Sequence, residues 1–252
     1  MAQKLKDYYD LAYARMLGTK LNTVAPHFDV DRFCDLLTDR LEHLEFNDRQ
    51  VLLATTVHEC LGEPYPTALK RFHRILGPEL PGSLGMFTQG FWLWPLGKYV
   101  ELYGAEYFEE STAFSKELTK RFTSEFCLRP VASRFPERTM YLMVEWSLDP
   151  NQRVRRCASE CLRIRLPWAK RLYVALDHFD LYVRILSNLR NDPDKTIQKS
   201  VANNLNDLYR EQPDKFEFIL ALWQQEELSP ACAWIIRHAS RTKRKDAEQT
   251  SR

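Results

Sequence analysis

Two carboxylates of this 252-residue chain stand where acids are unexpected. Between residues 153 and 171 there are seven Lys or Arg and one acid, Glu160. A helical projection over the helix predicted from about Asn151 to Arg163 gathers Val154, Cys157, Ala158 and Cys161 on one face, with Arg153, Arg156, Glu160 and Arg163 opposite. A carboxylate in that field weakens any grip on phosphate, so it needs a reason, the ordinary one being an i,i+4 pair with Arg156. The helix predicted from about Asp194 to Arg210 repeats the arrangement: Ile197, Val201, Leu205 and Leu208 turn inward, while Lys199, Asn203, Asn206, Asp207 and Arg210 turn outward. Asn203, Asn204 and Asn206 are poor helix formers, which points to side-chain hydrogen bonds with neighbouring helix ends or with a ligand. A third acid, Glu125, projects beside Leu118 and Phe122 on an apolar face, where a carboxylate must pair or shift its pKa. Arg121 and Arg129, four residues to either side, are its candidate partners.

Other chemistries lack their residues. The chain has no GxSxG, no phosphate-cradling glycine loop and no HExxH, and its six histidines are dispersed. Its six cysteines (Cys34, Cys60, Cys127, Cys157, Cys161 and Cys232) form no CxxC pair and no zinc-ligand spacing, so they read as reduced core thiols. No metal and no cofactor are expected.

The elements that must position these residues are helices. Helical periodicity dominates and no sustained two-residue alternation appears, giving an all-α class. Asp149-Pro150 followed by NQRVRRCASECLR aligns with Asp192-Pro193 followed by DKTIQKSVANNLN at an offset of 43 residues, within the range of HEAT-type helix pairs. Each Asp-Pro is expected to open the inner helix of a pair, with Asp as N-cap and Pro in the first turn. MYLMVEWSL and LYVRILSNL supply outer helices, and FEFILALWQ with ACAWIIRHAS reads as a further pair. Trp168, after Pro167, is expected to start the next helix. Residues 76–97, with five of the eight glycines, form the main irregular connection, and a single repeat domain is predicted over residues 1–242 with a frayed polar tail over 243–252.

Residues 1–110 hold 11 Lys and Arg against 16 Asp and Glu, a net −5, while residues 111–252 hold 25 against 18, a net +7. A polyanion partner for the second part follows from counterion release by clustered cations. No apolar run is long enough to span a bilayer and the first residues lack a secretory h-region, so a cytoplasmic protein with no membrane contact is expected.

Four strings, LTKRFTSEFCLRP, VRRCASECLRIRLPW, KSVANNLNDL and WIIRHASRT, resemble in order and spacing the AlkC branch of the HEAT-like AlkC/AlkD DNA glycosylases, most strongly from about Leu118 to Arg241. FWLWPLGKYVELYG is also similar. Against the family pattern SEGxRPRLPW, Cys161 stands for the Gly and Ile164 for a Pro, changes that touch packing more than chemistry. Some relatives carry a C-terminal immunoglobulin-like domain, which this chain is expected to lack. The resemblance implies a HEAT-like helical repeat solenoid with a concave basic face that binds double-stranded DNA as a monomer, nucleoid-associated when bound. It implies catalytic roles for Glu125, Glu160 and Asp207 and a lesion-facing Trp168. The DNA contacts expected are Arg153, Arg156, Arg163, Arg165, Lys199, Asn203, Arg210 and Arg241. The implied activity is monofunctional excision of cationic N3-alkylated bases, 3-methyladenine foremost and 3-methylcytosine also. The alternatives are a non-catalytic protein binding bent or branched DNA and a protein-binding repeat scaffold.

Overall fold

The computed structural model describes residues 4–83 and 85–250, and among them all regular structure is helical. The contacts form two compact units, Met1–Leu80 with Gly85–Thr123 and Pro81–Leu84 with Ser124–Arg252.

The first unit contains α1 (Leu11–Val24), α2 (Val30–Asp35), α3 (Phe46–Leu61), α4 (Tyr65–Ile75), α5 (Trp94–Tyr103) and α6 (Phe108–Thr119). Asp10 caps α1 by accepting the Tyr13 N–H, and Gly62, at φ +59°, ends α3 in a left-handed turn. Tyr9 and Tyr13 are buried and donate their hydroxyls to the carbonyls of Phe91 and Trp92 at 2.6 and 2.7 Å. The irregular connection is shorter than expected, because α5 begins at Trp94 with Pro95 in its first turn. Gly90 must be glycine: a Cβ there would lie 2.1 Å from the Arg121 carbonyl oxygen.

The second unit contains α7 (Glu125–Arg134), α8 (Pro136–Trp146), α9 (Gln152–Glu160), α10 (Val174–Asp177), α11 (Phe179–Leu189), α12 (Lys195–Glu211), α13 (Pro213–Trp223), α14 (Pro230–Ala239) and α15 (Arg241–Thr250). The 43-residue offset is visible in hydrogen bonds. Asp149 accepts the N–H of Asn151 and Asp192 that of Asp194, both across a proline. Asn151 and Asp194 then cap α9 and α12 through the Arg153 and Thr196 amides. The caps therefore fall two residues later than the sequence suggests, since each Asp closes a turn over its Pro instead of capping the helix. Asp192 also takes the Arg155 guanidinium at 2.6 Å, tying one repeat to the next.

On α12, Ile197, Val201, Leu205 and Leu208 are fully buried, each stabilising the stack by about 2 kcal/mol. α9 packs against α8 on one side and α12 on another, so its polar face is covered as well. The polar residues from Lys243 are helical as far as Thr250 in place of a frayed tail; residues 251–252 lie outside the described residues.

Candidate active site

The three acids singled out by the sequence form one cluster, alternating with two arginines. Glu125 is the first residue of α7, and α6 ends at Thr119, so it does not share a helix with Leu118. Its partner is neither Arg121, which pairs with Glu117, nor Arg129, which donates to backbone carbonyls. Instead Arg156 of α9 approaches Glu125 at 3.5 Å and Glu160, one turn on, at 3.8 Å. Glu160 ends α9 and makes shorter contacts elsewhere, to Arg163 at 3.1 Å and to the donating Ser200 hydroxyl of α12 at 2.6 Å. Arg163 lies in the loop after α9, because that helix stops three residues before the predicted end, and it reaches on to Asp207 of α12 at 3.1 and 3.5 Å. The Arg165 backbone N–H also donates to Asp207, at 3.3 Å. The chain of contacts runs Glu125, Arg156, Glu160, Arg163, Asp207, with one more negative charge than positive when all are ionised.

Burial sets the protonation tendencies. Burial raises the Glu125 pKa against the pull of Arg156. Burial likewise raises that of Asp207, outweighing Arg163 and its hydrogen bonds. Glu160 goes the other way: burial opposes its charge, but Arg156, Arg163 and the Ser200 hydroxyl together hold it below the ordinary value. Burial also opposes the Arg156 charge, yet Glu125 and Glu160 keep it firmly protonated.

The asparagines of α12 divide by role. Asn204 donates to the Ser159 carbonyl and accepts from Tyr182, fastening α9 and α11 to α12. Asn206 donates to the Ala239 carbonyl at the end of α14, and both Asn206 and Asp207 are buried, not turned outward. Asn203 accepts from Arg241 at 3.0 Å.

Asp207 borders an open cleft of about 410 Å³, whose other lining includes Arg163, Arg165, Arg171, Arg210 and Arg241. Lys199 and Arg210 are exposed, and Arg165, Arg241 and Asn203 partly so. Arg153 is buried at 4% exposure, Arg156 is committed to Glu125 and Glu160, and Arg163, though it lines the cleft, is held by Glu160 and Asp207. The sequence does not single out Arg171, whose place in the cleft depends on the loop after α9, or Glu211 at the end of α12, with which it pairs at 3.4 Å.

Trp168 is 77% exposed, with a left-handed φ of +64°. It does not start a helix. It sits in a β-turn closed by the Ala169 N–H to the Leu166 carbonyl at 3.2 Å, following Pro167, at the position glycine usually fills. Cys157 and Cys161 are buried, and Cys161 contacts the Met143 sulfur at 3.4 Å as core packing. Among the described residues, no group of three or more His, Cys, Asp or Glu could hold a metal ion, and no helix is long and apolar enough to cross a membrane.

The family model of DNA alkylation repair enzymes matches residues 118–247, the part of the chain that carries this cluster. The chain belongs to that family. It is 33% identical over 241 residues to the uncharacterized protein YhaZ of Bacillus subtilis, a match covering 94% of this chain and 64% of YhaZ. The solved structure of Pseudomonas fluorescens alkylpurine DNA glycosylase AlkC, bound to DNA containing an abasic site analog, is 32% identical with a TM-score of 0.82, covering 95% of this chain and 64% of that one. AlkD2 from Streptococcus mutans shares the fold, at 17% identity and a TM-score of 0.52 over 84% of this chain and 97% of its own. The chain thus spans about two thirds of the length of YhaZ and of AlkC. The family and the all-helical repeat fold expected from the sequence both stand.

Proposed function

We propose that this member of the family is a monofunctional DNA glycosylase that hydrolyses the N-glycosidic bond of cationic N3-alkylated bases in double-stranded DNA, 3-methyladenine first and 3-methylcytosine also. The observation that carries the reading is the carboxylate of Asp207 at the edge of an arginine-lined cleft, linked through Arg163 to Glu160. Similarity to a DNA-bound alkylpurine glycosylase over nearly the whole chain supports it.

The chemistry needs no protein nucleophile. A methylated base already carries positive charge; when the C1′–N bond breaks, the electron pair leaves with the base and cancels that charge, and the sugar becomes oxocarbenium-like. Asp207 and Glu160 supply opposite charge, and Arg163 between them fixes their orientation. Water adds to C1′ and gives up a proton to Asp207, whose raised pKa makes it a better base than an ordinary aspartate. Trp168 adds cation-π attraction of about 1 to 2 kcal/mol once solvent is displaced. The arginines and lysine of the open surface hold the phosphates on either side.

Incubating the protein with N-methyl-N-nitrosourea-treated duplex and identifying released bases tests this directly, and release of 3-methyladenine is expected. Tight binding with no released base would favour the second reading, a non-catalytic protein for bent or branched DNA. The engagement of Glu160 and Asp207 by Arg163, each at 3.1 Å, is the observation on that side.

A further inference from the structure

We infer that Arg129 is a positioning residue that clamps the loop carrying Arg163 and Trp168, and thereby sets the rate of base excision without touching DNA; this rests on the glycosylase reading above. Arg129 lies on α7 one turn after Glu125 and is 7% exposed. Its Nη1 donates to the carbonyls of Cys161 and Arg163 at 3.0 and 2.8 Å, and its Nη2 to the carbonyl of Lys170 at 2.5 Å. Cys161 and Arg163 lie on the limb that enters the loop and Lys170 on the limb that leaves it. One planar guanidinium therefore joins both limbs at the base, with Trp168 at the tip.

Such a clamp answers a physical need. From Cys161 to Tyr173 the chain forms no helix, and a stretch of that length has many alternatives to its folded path. Turn bonds from Cys161, Leu162 and Arg163 continue the end of α9, and Arg165 and Arg171 reach Glu211, but between the two limbs the backbone supplies the Leu172 N–H to the Ile164 carbonyl at 3.3 Å and the turn at Leu166 to Ala169. Trp168 must be held at a φ that a bulky side chain disfavours, which persists only when the surroundings fix it. Arg163, two residues past Cys161, must at the same time meet Glu160 and Asp207. An arginine can serve carbonyls on both limbs at once because its donors form a rigid fork; a lysine at the same place offers one mobile ammonium in place of that fork. α7 thus presents two devices on one face: Glu125, which fixes Arg156, and Arg129, which fixes the loop.

The test is Arg129→Lys in the full chain, read in two ways. In protein labelled with 5-fluorotryptophan, the Trp168 resonance, assigned by its loss in Trp168→Phe, is expected as a single line in the parent and as a shifted or broadened line in Arg129→Lys. In single-turnover excision of 3-methyladenine, Arg129→Lys is expected to lose about tenfold in the parent background and clearly less, about threefold, in a Trp168→Ala background where only the path through Arg163 remains, with affinity for undamaged duplex unchanged, the non-additivity of residues that act as a unit. An unaltered Trp168 line, or equal losses of rate in both backgrounds, overturns the inference. Should Arg129→Lys fail to fold, amide exchange in the parent decides: Arg165 and Leu172 amides at least a hundredfold slower than an open chain support the clamp, and open-chain rates overturn it. The fluorine line and the exchange rates need no excision, so a protein that releases no base refutes the glycosylase reading and leaves the clamp to be judged on those two measurements.

Discussion

The two units bury charge and polarity in different ways. In the first, Arg49 is buried and gives its guanidinium to the carbonyls of Lys6, Glu42 and Leu44, while Tyr9 and Tyr13 give their hydroxyls to carbonyls of the Phe91 and Trp92 segment. Each donor there finishes a backbone path. In the second unit Arg156 and Arg163 are spent on carboxylates that are themselves buried. Well-packed apolar side chains stabilise such positions as well or better, because desolvating an ion pair offsets most of its attraction. Carboxylates serve in the first unit too, as where buried Lys98 takes Glu101 at 2.6 Å and Arg71 takes Glu63 at 3.1 Å, but among its described residues there is no buried chain of alternating acids and arginines like that of the second unit. On the proposed function the acids of the second unit are groups kept for a reaction, and the contrast can be broken or sharpened by substitution.

The largest effect is expected from Asp207→Asn and Glu160→Gln. Each should lower single-turnover excision by on the order of a hundredfold or more, the scale of losing an electrostatic stabiliser, while affinity for undamaged DNA holds or improves. Parental rates in both, with normal melting, would sink the catalytic assignment. pH sharpens the same point. The raised pKa of Asp207 predicts that the rate falls on acidification with a midpoint above that of an ordinary aspartate. Glu160, whose folded pKa is lowered, contributes stability above the ordinary glutamate value that is lost as pH falls through the folded one. The melting difference between parent and Glu160→Gln should therefore close in acid.

Glu125→Gln comes next. It removes one of the two acids near Arg156, but burial already disfavours the Glu125 charge and Glu160 still faces Arg156, so a change in stability of less than about 1 kcal/mol is expected in denaturant melts, with a smaller loss of rate than for Asp207→Asn. An unchanged melt with a hundredfold slower rate would instead put Glu125 against the lesion.

A smaller effect separates the open cations from the committed ones. Lys199→Ala or Arg210→Ala should flatten the slope of log affinity against log salt by about one unit each. Arg153→Ala, at a buried position, should leave the slope alone and lower stability. The smallest effect on function is expected in the first unit, where Tyr13→Phe should cost about 1 kcal/mol of stability and nothing in excision.

Much of the second unit could be read in advance. The 43-residue offset placed α9 and α12 correctly, since apolar spacing and the Asp-Pro turns are local properties of the chain. The three acids were also visible as acids in the wrong surroundings. What a one-helix projection misses is the layer above it. Glu160 projects away from Val154 and Cys157 and so reads as solvated, yet Ser200 and Asn204, some 40 residues on, cover that face. The same reason hides the partner of Glu125: Arg156 is 31 positions away, whereas Arg121 and Arg129 are near in sequence and engaged elsewhere. The Pro167 and Trp168 turn was missed because proline opens helices and turns alike, and only the φ of the next residue separates them.

That turn bears on how this protein responds to selection. Glycine or asparagine at position 168 relieves the backbone, so a library screened only for heat resistance should collect those substitutions, while a library screened for survival of methylating agents should discard them. The frequency of tryptophan at this position in the two surviving pools would then report how much heat tolerance the protein gives up to keep an aromatic ring in solvent.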